Sequence, residues 1–446
     1  MRSFVPAFLS ILAAVQPFVS AQLSGTVGPT TTTAQKAATK VCNILDYGGV
    51  ASATTDNSAA IESAWAACKS GGQVYIPSGS YGLESWVTLT GGTAVSINLE
   101  GIIYRMSAGT DGGNMIFIEH TTDFEFYSAN SKGAIQGYGY EFHSEGTYGP
   151  RILRFYEVVD FSIHDVALVD SPAFHFTMDT CSNGEVYNMI VRGGNEVNPL
   201  HSIDVWGTNI WIHDVEVTNK DECVTVKSPA SNILVDGVYC NWSGGCAIGS
   251  LGADTDIHDI EYNHIYSQNC NQQFMIKSNG GSGELYNGVF SNFMGHSNAY
   301  TLDLDSAWSS QSTAAGDGVQ YTNLTFSHWH GTTTDGTKRP VIRVICPAGV
   351  PCTEIEIDSF YIWTETGSYE KYLCENAFGS GPCLKADSAS GTTYTTTATV
   401  TTMTGYAYTT MPGEITAGLG ITKSISIPAI PTSFYPGLKP TSALLG

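Results

Sequence analysis

The sequence predicts an all-β, single-domain right-handed parallel β-helix, on three observations. Short β-rich runs recur at a nearly constant spacing. Asn, Gly and Ser punctuate the turns between them, and helical patterning is almost absent. The runs are Phe161-Ser162-Ile163, Val186-Tyr187-Asn188, Ile210-Trp211-Ile212, Ile233-Leu234-Val235, Ile260-Glu261-Tyr262 and Leu285-Tyr286-Asn287, whose first residues stand 25, 24, 23, 27 and 25 apart. Each is followed by a second run, as in Val224-Thr225-Val226-Lys227 and Phe274-Met275-Ile276-Lys277. Strands repeating at this period fit the coils of a solenoid, in which each coil buries its apolar side chains against the next. The Leu-x-x-Leu-x-Leu signature of a leucine-rich repeat is missing, and a propeller blade would be about twice as long.

At the N-terminus, Met1 and Arg2 give a basic start, Phe4 to Val19 is mostly apolar, and Val19-Ser20-Ala21 offers small residues to a peptidase. This is the three-part form of a secretory signal, too short for a good membrane anchor. Residues 1–21 are therefore expected to be a signal peptide, and residues 22–446 a secreted, extracellular β-helix. Ser58 to Cys68 reads as a short amphipathic helix with Ala60, Ile61, Ala64 and Trp65 on one face, suited to cap the first coil. The Thr- and Ser-rich stretch from Ser388 to Thr410 is expected to lie as irregular, O-glycosylated chain along the outside.

The 446 residues carry 19 Lys and Arg against 41 Asp and Glu, a net charge of -22. That balance argues against nucleic acid or anionic lipid as a partner. No later segment is apolar enough to span a bilayer, and a monomer is expected. Eleven cysteines in a secreted chain predict disulfides with at least one thiol left over. Neighbour spacing suggests Cys42–Cys68, Cys223–Cys240, Cys346–Cys352 and Cys374–Cys383, leaving Cys181, Cys246 and Cys270. No spacing resembles a zinc site backed by histidines, so no metal or cofactor is expected. Asn241-Trp242-Ser243 and Asn323-Leu324-Thr325 are glycosylation acceptors, which makes Asn241 and Asn323 candidate glycan sites.

A β-helix stacks equivalent residues of successive coils about 4.8 Å apart, so an outward column becomes a binding cleft. Alignment of the repeats puts Asp204, Lys227, Gly249, Lys277 and Asp303 in one such column. Just before one coil lies Asn219-Lys220-Asp221-Glu222-Cys223. Repulsion between adjacent carboxylates raises the pKa of one of them, which suits a general acid.

The order Ile203-Asp204, Asn219-Lys220-Asp221-Glu222-Cys223, Ser243-Gly244-Gly245-Cys246-Ala247-Ile248-Gly249-Ser250 and Met275-Ile276-Lys277 resembles glycoside hydrolase family 28. Polygalacturonases of that family carry Asn-Thr-Asp-Gly, Asp-Asp-Cys, Gly-His-Gly and Arg-Ile-Lys at the corresponding places. Gly193-Gly194-Asn195-Glu196, Met275-Ile276-Lys277-Ser278-Asn279-Gly280-Gly281 and Gly295-His296-Ser297-Asn298-Ala299-Tyr300 are most similar to the rhamnogalacturonase branch, over essentially the whole mature chain. The implied substrate is the rhamnogalacturonan I region of pectin.

The resemblance implies single-displacement, inverting hydrolysis, with an acid on one side of the bond and a carboxylate-activated water on the other. It makes Asp221 the general acid and Glu222 part of the base pair. Lys277 and Asp204 are candidate substrate-binding residues. His296 either orients substrate and tunes the acid or is a satisfied structural histidine. Methionine replaces the arginine of Arg-Ile-Lys at Met275, exchanging a carboxylate clamp for an apolar surface suited to a deoxy sugar. The family's second base aspartate falls on His201. Either His201 serves as a neutral base, Asp204 reaches the water instead, or the enzyme is weakened. The alternatives in function are an endo-polygalacturonase and a non-catalytic pectin-binding relative. Trp206, Trp242, Tyr300 and Trp308 are candidate sugar platforms.

Overall fold

Val41–Asn43, Gln73–Ile76, Thr93–Leu99 and Thr122–Tyr127 pair in parallel, each with the equivalent strand of the next coil, and the pattern continues to Ala377–Ser380. The computed structural model describes residues 23–106, 112–194, 202–386, 394–401 and 406–436. Within them all the strands join one continuous sheet wound as a right-handed parallel β-helix. The expected signal peptide lies outside the described residues, as does His201. Among the described residues, no helix is long and apolar enough to cross a membrane.

The middle of the helix is built from long strands that turn corners without breaking, such as Phe176–Arg192, Ile203–Thr218 and Glu222–Asn241. Their bends are made by single residues at positive φ, including Asn183, Asn209, Asn232, Asp259, Asn287 and Asn323. Asparagine visits this region more readily than other side chains because its short amide bonds locally. Here the amides also bond from coil to coil. Asn209 donates to Asn183 at 2.8 Å, Asn287 to Asp259 at 3.1 Å, and Asn323 to Asn287 at 2.9 Å. The turn punctuation visible in the sequence is thus a hydrogen-bonded ladder down one edge.

Inside, aliphatic and aromatic side chains stack into one core. Of the repeated runs, Ile210, Ile233 and Ile260 are true register partners. Phe161 instead pairs with Gly184, Val186 with Ile212, and Leu285 with Ile257. The first two shifts are of two residues and the third of three, yet Phe161, Val186 and Leu285 all remain buried in the core. Coils of unequal length disturb the count without disturbing the pattern.

The helix Ser58–Cys68 forms as expected and buries Ser58, Ala60, Ile61, Ala64, Trp65 and Cys68 against the first coils. Cys42–Cys68, Cys223–Cys240, Cys346–Cys352 and Cys374–Cys383 are joined, with Cys181, Cys246 and Cys270 left as buried thiols. The Thr-rich stretch is partly a correction. Thr395–Thr401 is a strand, antiparallel to Tyr369–Glu375, and closes the last coil. Residues 388–393 and 402–405 lie outside the described residues.

The two glycosylation acceptors part company. Asn323 is exposed at its corner. Asn241 is 0% exposed, beneath the C-terminal segment whose Ile415 carbonyl accepts from Trp242 and Gln268. The folded chain leaves no room for a glycan there, which corrects the expectation for Asn241.

Candidate active site

One face of the β-helix runs through Arg151–Tyr156, the first residues of Phe176–Arg192, Ile203–Thr218 and Glu222–Asn241, then Gly245–Leu251, Gln272–Ser278, Tyr300–Asp305 and Ile342–Ile345. Val226, Ile248, Ile276 and Leu304 are in register and fill the core. By alternation, their neighbours face outward.

Asp204, Thr225, Ala247, Met275, Asp303 and Arg343 form one outward column. Lys227, Gly249, Lys277 and Asp305 lie one step beyond the core residues, in the next. The column expected from sequence therefore divides in two. Asp303 sits beside Met275, Asp204 shares their column three strands away, and Asp305 takes the place assigned to Asp303. Coils of unequal length shift the count: Asp204 pairs with Thr225 rather than Lys227, and Lys277 with Asp305 rather than Asp303.

Asp221 lies in the turn that opens Glu222–Asn241. Its Oδ1 accepts the Glu222 N–H at 2.8 Å, and its carbonyl accepts Gly244 N–H at 2.6 Å. A Cβ on Gly244 would stand 2.8 Å from the backbone between Asp221 and Glu222. No histidine fits where polygalacturonases carry one. Asn219 donates to Ser202 at 2.7 Å, and Ser202 N–H to the Glu222 carbonyl at 3.1 Å, tying the turn to the preceding coil.

Glu222 and Lys277 form a buried ion pair, side chains 4% and 5% exposed. Gly249, the register partner of Lys277, leaves the space this requires, since a Cβ there would lie 3.2 Å from Lys277 Cγ. The ammonium also lies 4.6 Å over the Trp308 ring, a favourable cation–π distance. Asp204 is 2% exposed and lies 3.7 Å from Lys227, whose ammonium also donates to the Gly249 carbonyl at 2.7 Å. Arg343 bridges Asp303 at 2.7 Å and Asp305 at 2.8 Å. Burial nevertheless pushes the Asp303 carboxyl up to about 6.

A cleft of about 770 Å³ opens over the Glu222–Lys277 pair. Asp221, Glu222, Lys277, Met275, Trp242 and Trp308 line it, joined by Lys220, Lys227 and Arg339. Four of the chain's 19 basic residues thus face two acids in one cleft, reversing the balance of the whole molecule. Such a local excess attracts an anionic polymer to an otherwise acidic protein.

His296 is not brought to this centre. Its Nδ1 meets Glu414 at 2.8 Å, its ring packs 5.1 Å from Tyr408, and Glu414 also accepts from Tyr266. Burial holds the imidazole below its usual value. It anchors the C-terminal segment, so the catalytic role considered for His296 is corrected to a structural one. Trp206 borders a separate hollow with Pro229 and His258. Tyr300 stacks beneath Arg339 at 5.1 Å and supports the cleft wall.

Residues 69–383 match the family described as glycosyl hydrolases family 28. The chain belongs to glycoside hydrolase family 28. It is 62% identical over 440 residues to Rhamnogalacturonase A of Aspergillus aculeatus, covering 98% of this chain and 99% of that one. It is 60% identical over 430 residues to Rhamnogalacturonase A of Emericella nidulans, covering 96% and 84%. In fold it is similar to endo-xylogalacturonan hydrolase from Aspergillus tubingensis, with a TM-score of 0.65 at 22% identity over 74% of this chain and 94% of that chain. As a family 28 glycoside hydrolase, the chain presents an adjacent acid pair at the floor of a basic cleft, the minimum needed to protonate a glycosidic oxygen and handle water. Arg339 carried no signal in the sequence, because it reaches the cleft from a segment outside the repeated runs.

Proposed function

We propose that this family 28 enzyme is a secreted rhamnogalacturonan hydrolase that cleaves α-D-galacturonate-(1→2)-α-L-rhamnose linkages within the rhamnogalacturonan I region of pectin. The observation that carries the reading is Met275 beside Lys277 in the cleft, where polygalacturonases place an arginine. Methionine offers an apolar, adaptable surface for the methyl group of rhamnose. Lys220, Lys227 and Arg339 supply positive charge for the galacturonates on either side. The high identity to enzymes named rhamnogalacturonase supports the same choice.

Asp221 donates its proton to the rhamnose oxygen as the bond to C1 of galacturonate breaks. On the opposite face, Glu222 takes the proton of the attacking water, giving a product of inverted configuration. Lys277 holds Glu222 in place for that step. The test is action on rhamnogalacturonan and polygalacturonate side by side. New reducing ends from rhamnogalacturonan alone, without unsaturated products, are expected; equal or greater action on polygalacturonate would reverse the assignment.

A further inference from the structure

A second hollow of about 460 Å³ lies further along the same face, bordered by Gly113, Tyr148, Gly149, Arg151, Ala173 and Phe174. Arg151 opens the strand Arg151–Tyr156, which is three strands before Glu222–Asn241 by the register Leu153 to Phe176 to Ile203 to Val224. Three strand spacings are about 14 Å. Tyr148, 50% exposed, links the two places. Its hydroxyl is pushed up by burial and by the charge of Asp221.

Two arginines stand here in different states. Arg154 is compensated by Asp179 at 2.6 Å. Arg151 forms no ion pair among the described residues, and its buried Nε has no hydrogen-bond partner there. Its guanidinium lies 5.2 Å over the Phe174 ring, which fixes the plane of the fork. Asp204 and Asp179 act on Arg151 from a distance, but neither pairs with it, and burial and Arg154 work against its charge, so a ligand carboxylate in direct contact would stabilise it. The matching ligand is a planar carboxylate, held by two parallel N–H groups. The flanking Tyr148 and Phe174 rings suit the apolar face of a sugar.

We propose that this hollow is a distal subsite in which Arg151 binds the carboxylate of a second galacturonate of the substrate chain, with Tyr148 and Phe174 flanking its ring. The proposal rests on the reading that the substrate is a galacturonate-containing polymer. It explains how a protein of net charge -22 grips an acidic chain beyond its catalytic centre.

The experiment compares Arg151→Gln and Arg151→Lys with the parent on two oligosaccharides from whichever polymer the parent cleaves. One is long enough to fill the hollow, the other too short to reach it. The ratio of kcat/KM between long and short substrate should fall about tenfold in Arg151→Gln, mainly through KM, and about threefold in Arg151→Lys, which keeps the charge but not the fork. A ratio within twofold of the parent's in both variants overturns the subsite, even if both substrates react more slowly, because a structural role lowers them together. If Arg151→Gln does not fold, Arg151→Lys reads the same ratio. Failure of the substrate assignment appears separately, as a parent that prefers polygalacturonate.

Discussion

Glu222 and Lys277 stand 55 residues apart in sequence and form a buried ion pair across the cleft floor, over the coil that carries Gly249. Removing one partner of such a pair leaves the other charge poorly compensated, which costs about 3–5 kcal/mol, whereas replacing both is often far milder. Lys277→Met should therefore lower unfolding stability by that order, and Lys277→Met with Glu222→Gln should recover most of it while remaining inactive. Denaturant unfolding of the three variants measures this. A double variant no more stable than the single one would show that the pair is not the source of the loss.

Asp221→Asn should lower kcat at least about a thousandfold on rhamnogalacturonan, since proton donation to a poor leaving group is lost. The amide oxygen can still accept the Glu222 N–H, so the unfolding midpoint should stay within a few degrees of the parent. Retention of a tenth or more of the activity removes Asp221 from the mechanism.

Met275→Arg places a guanidinium between Ala247 and Asp303 in the outward column. Action on rhamnogalacturonan should weaken about tenfold, with a rise in the relative rate on polygalacturonate, because a carboxylate clamp replaces an apolar contact. An unchanged preference between the polymers would mean that Met275 does not read the sugar.

Stability should fall as pH rises from about 5 to 8. Burial opposes the charged imidazoles of His164 and His213, but flanking carboxylates outweigh it and raise both. His213 lies 2.8 Å from both Asp214 and Glu185, and His164 lies 2.7 Å from Asp165 and 3.2 Å from Glu125. Their contribution is fully present below the ordinary imidazole value of 6.5 and is lost as pH passes the raised ones. Burial raises Asp170 and Glu370 to about 7 and Asp303 to about 6, which costs stability in the same direction above pH 4. Asp56 and Asp123, held low by hydrogen bonds against the opposing pull of burial, bring stability down again in stronger acid. Thermal unfolding at low salt should give a higher Tm at pH 5 than at pH 8, with a shallower slope in His213→Gln. A Tm that rises toward pH 8 contradicts this.

Much of this could be read from the chain because it depends on local pattern. The helix Ser58–Cys68 follows from its own periodicity, the four disulfides from neighbour spacing, and Asp221, Glu222 and Lys277 from motifs whose order survives variable coil length. What failed depended on long-range register or on what covers a surface. The count from Asp204 to Asp303 ran over coils of unequal length that no residue type announces, so Asp204 pairs with Thr225 and Lys277 with Asp305. His296 looked catalytic in its motif, and only the fold brings Glu414 against it. Asn241 looked exposed for the same reason, because the segment that buries it lies far along the chain.

The resemblance to family 28 sets His201 against the family's second base carboxylate, and one proposal is that it serves as the base. A histidine base works only when neutral, and free imidazole titrates near pH 6.5, against about 4 for a carboxyl group. The activity of the parent should therefore fall below about pH 6. His201→Asp should move that limb downward and raise turnover. An unchanged rate and pH profile would place His201 outside the reacting centre.

The most direct measurement is time-resolved proton NMR of the parent acting on rhamnogalacturonan, read at the anomeric proton of the first product. Inverting hydrolysis of an α-galacturonate bond predicts β-galacturonate reducing ends first, with the α form growing in only by mutarotation. An α-anomer appearing first, an unsaturated product, or no new reducing ends would contradict the account.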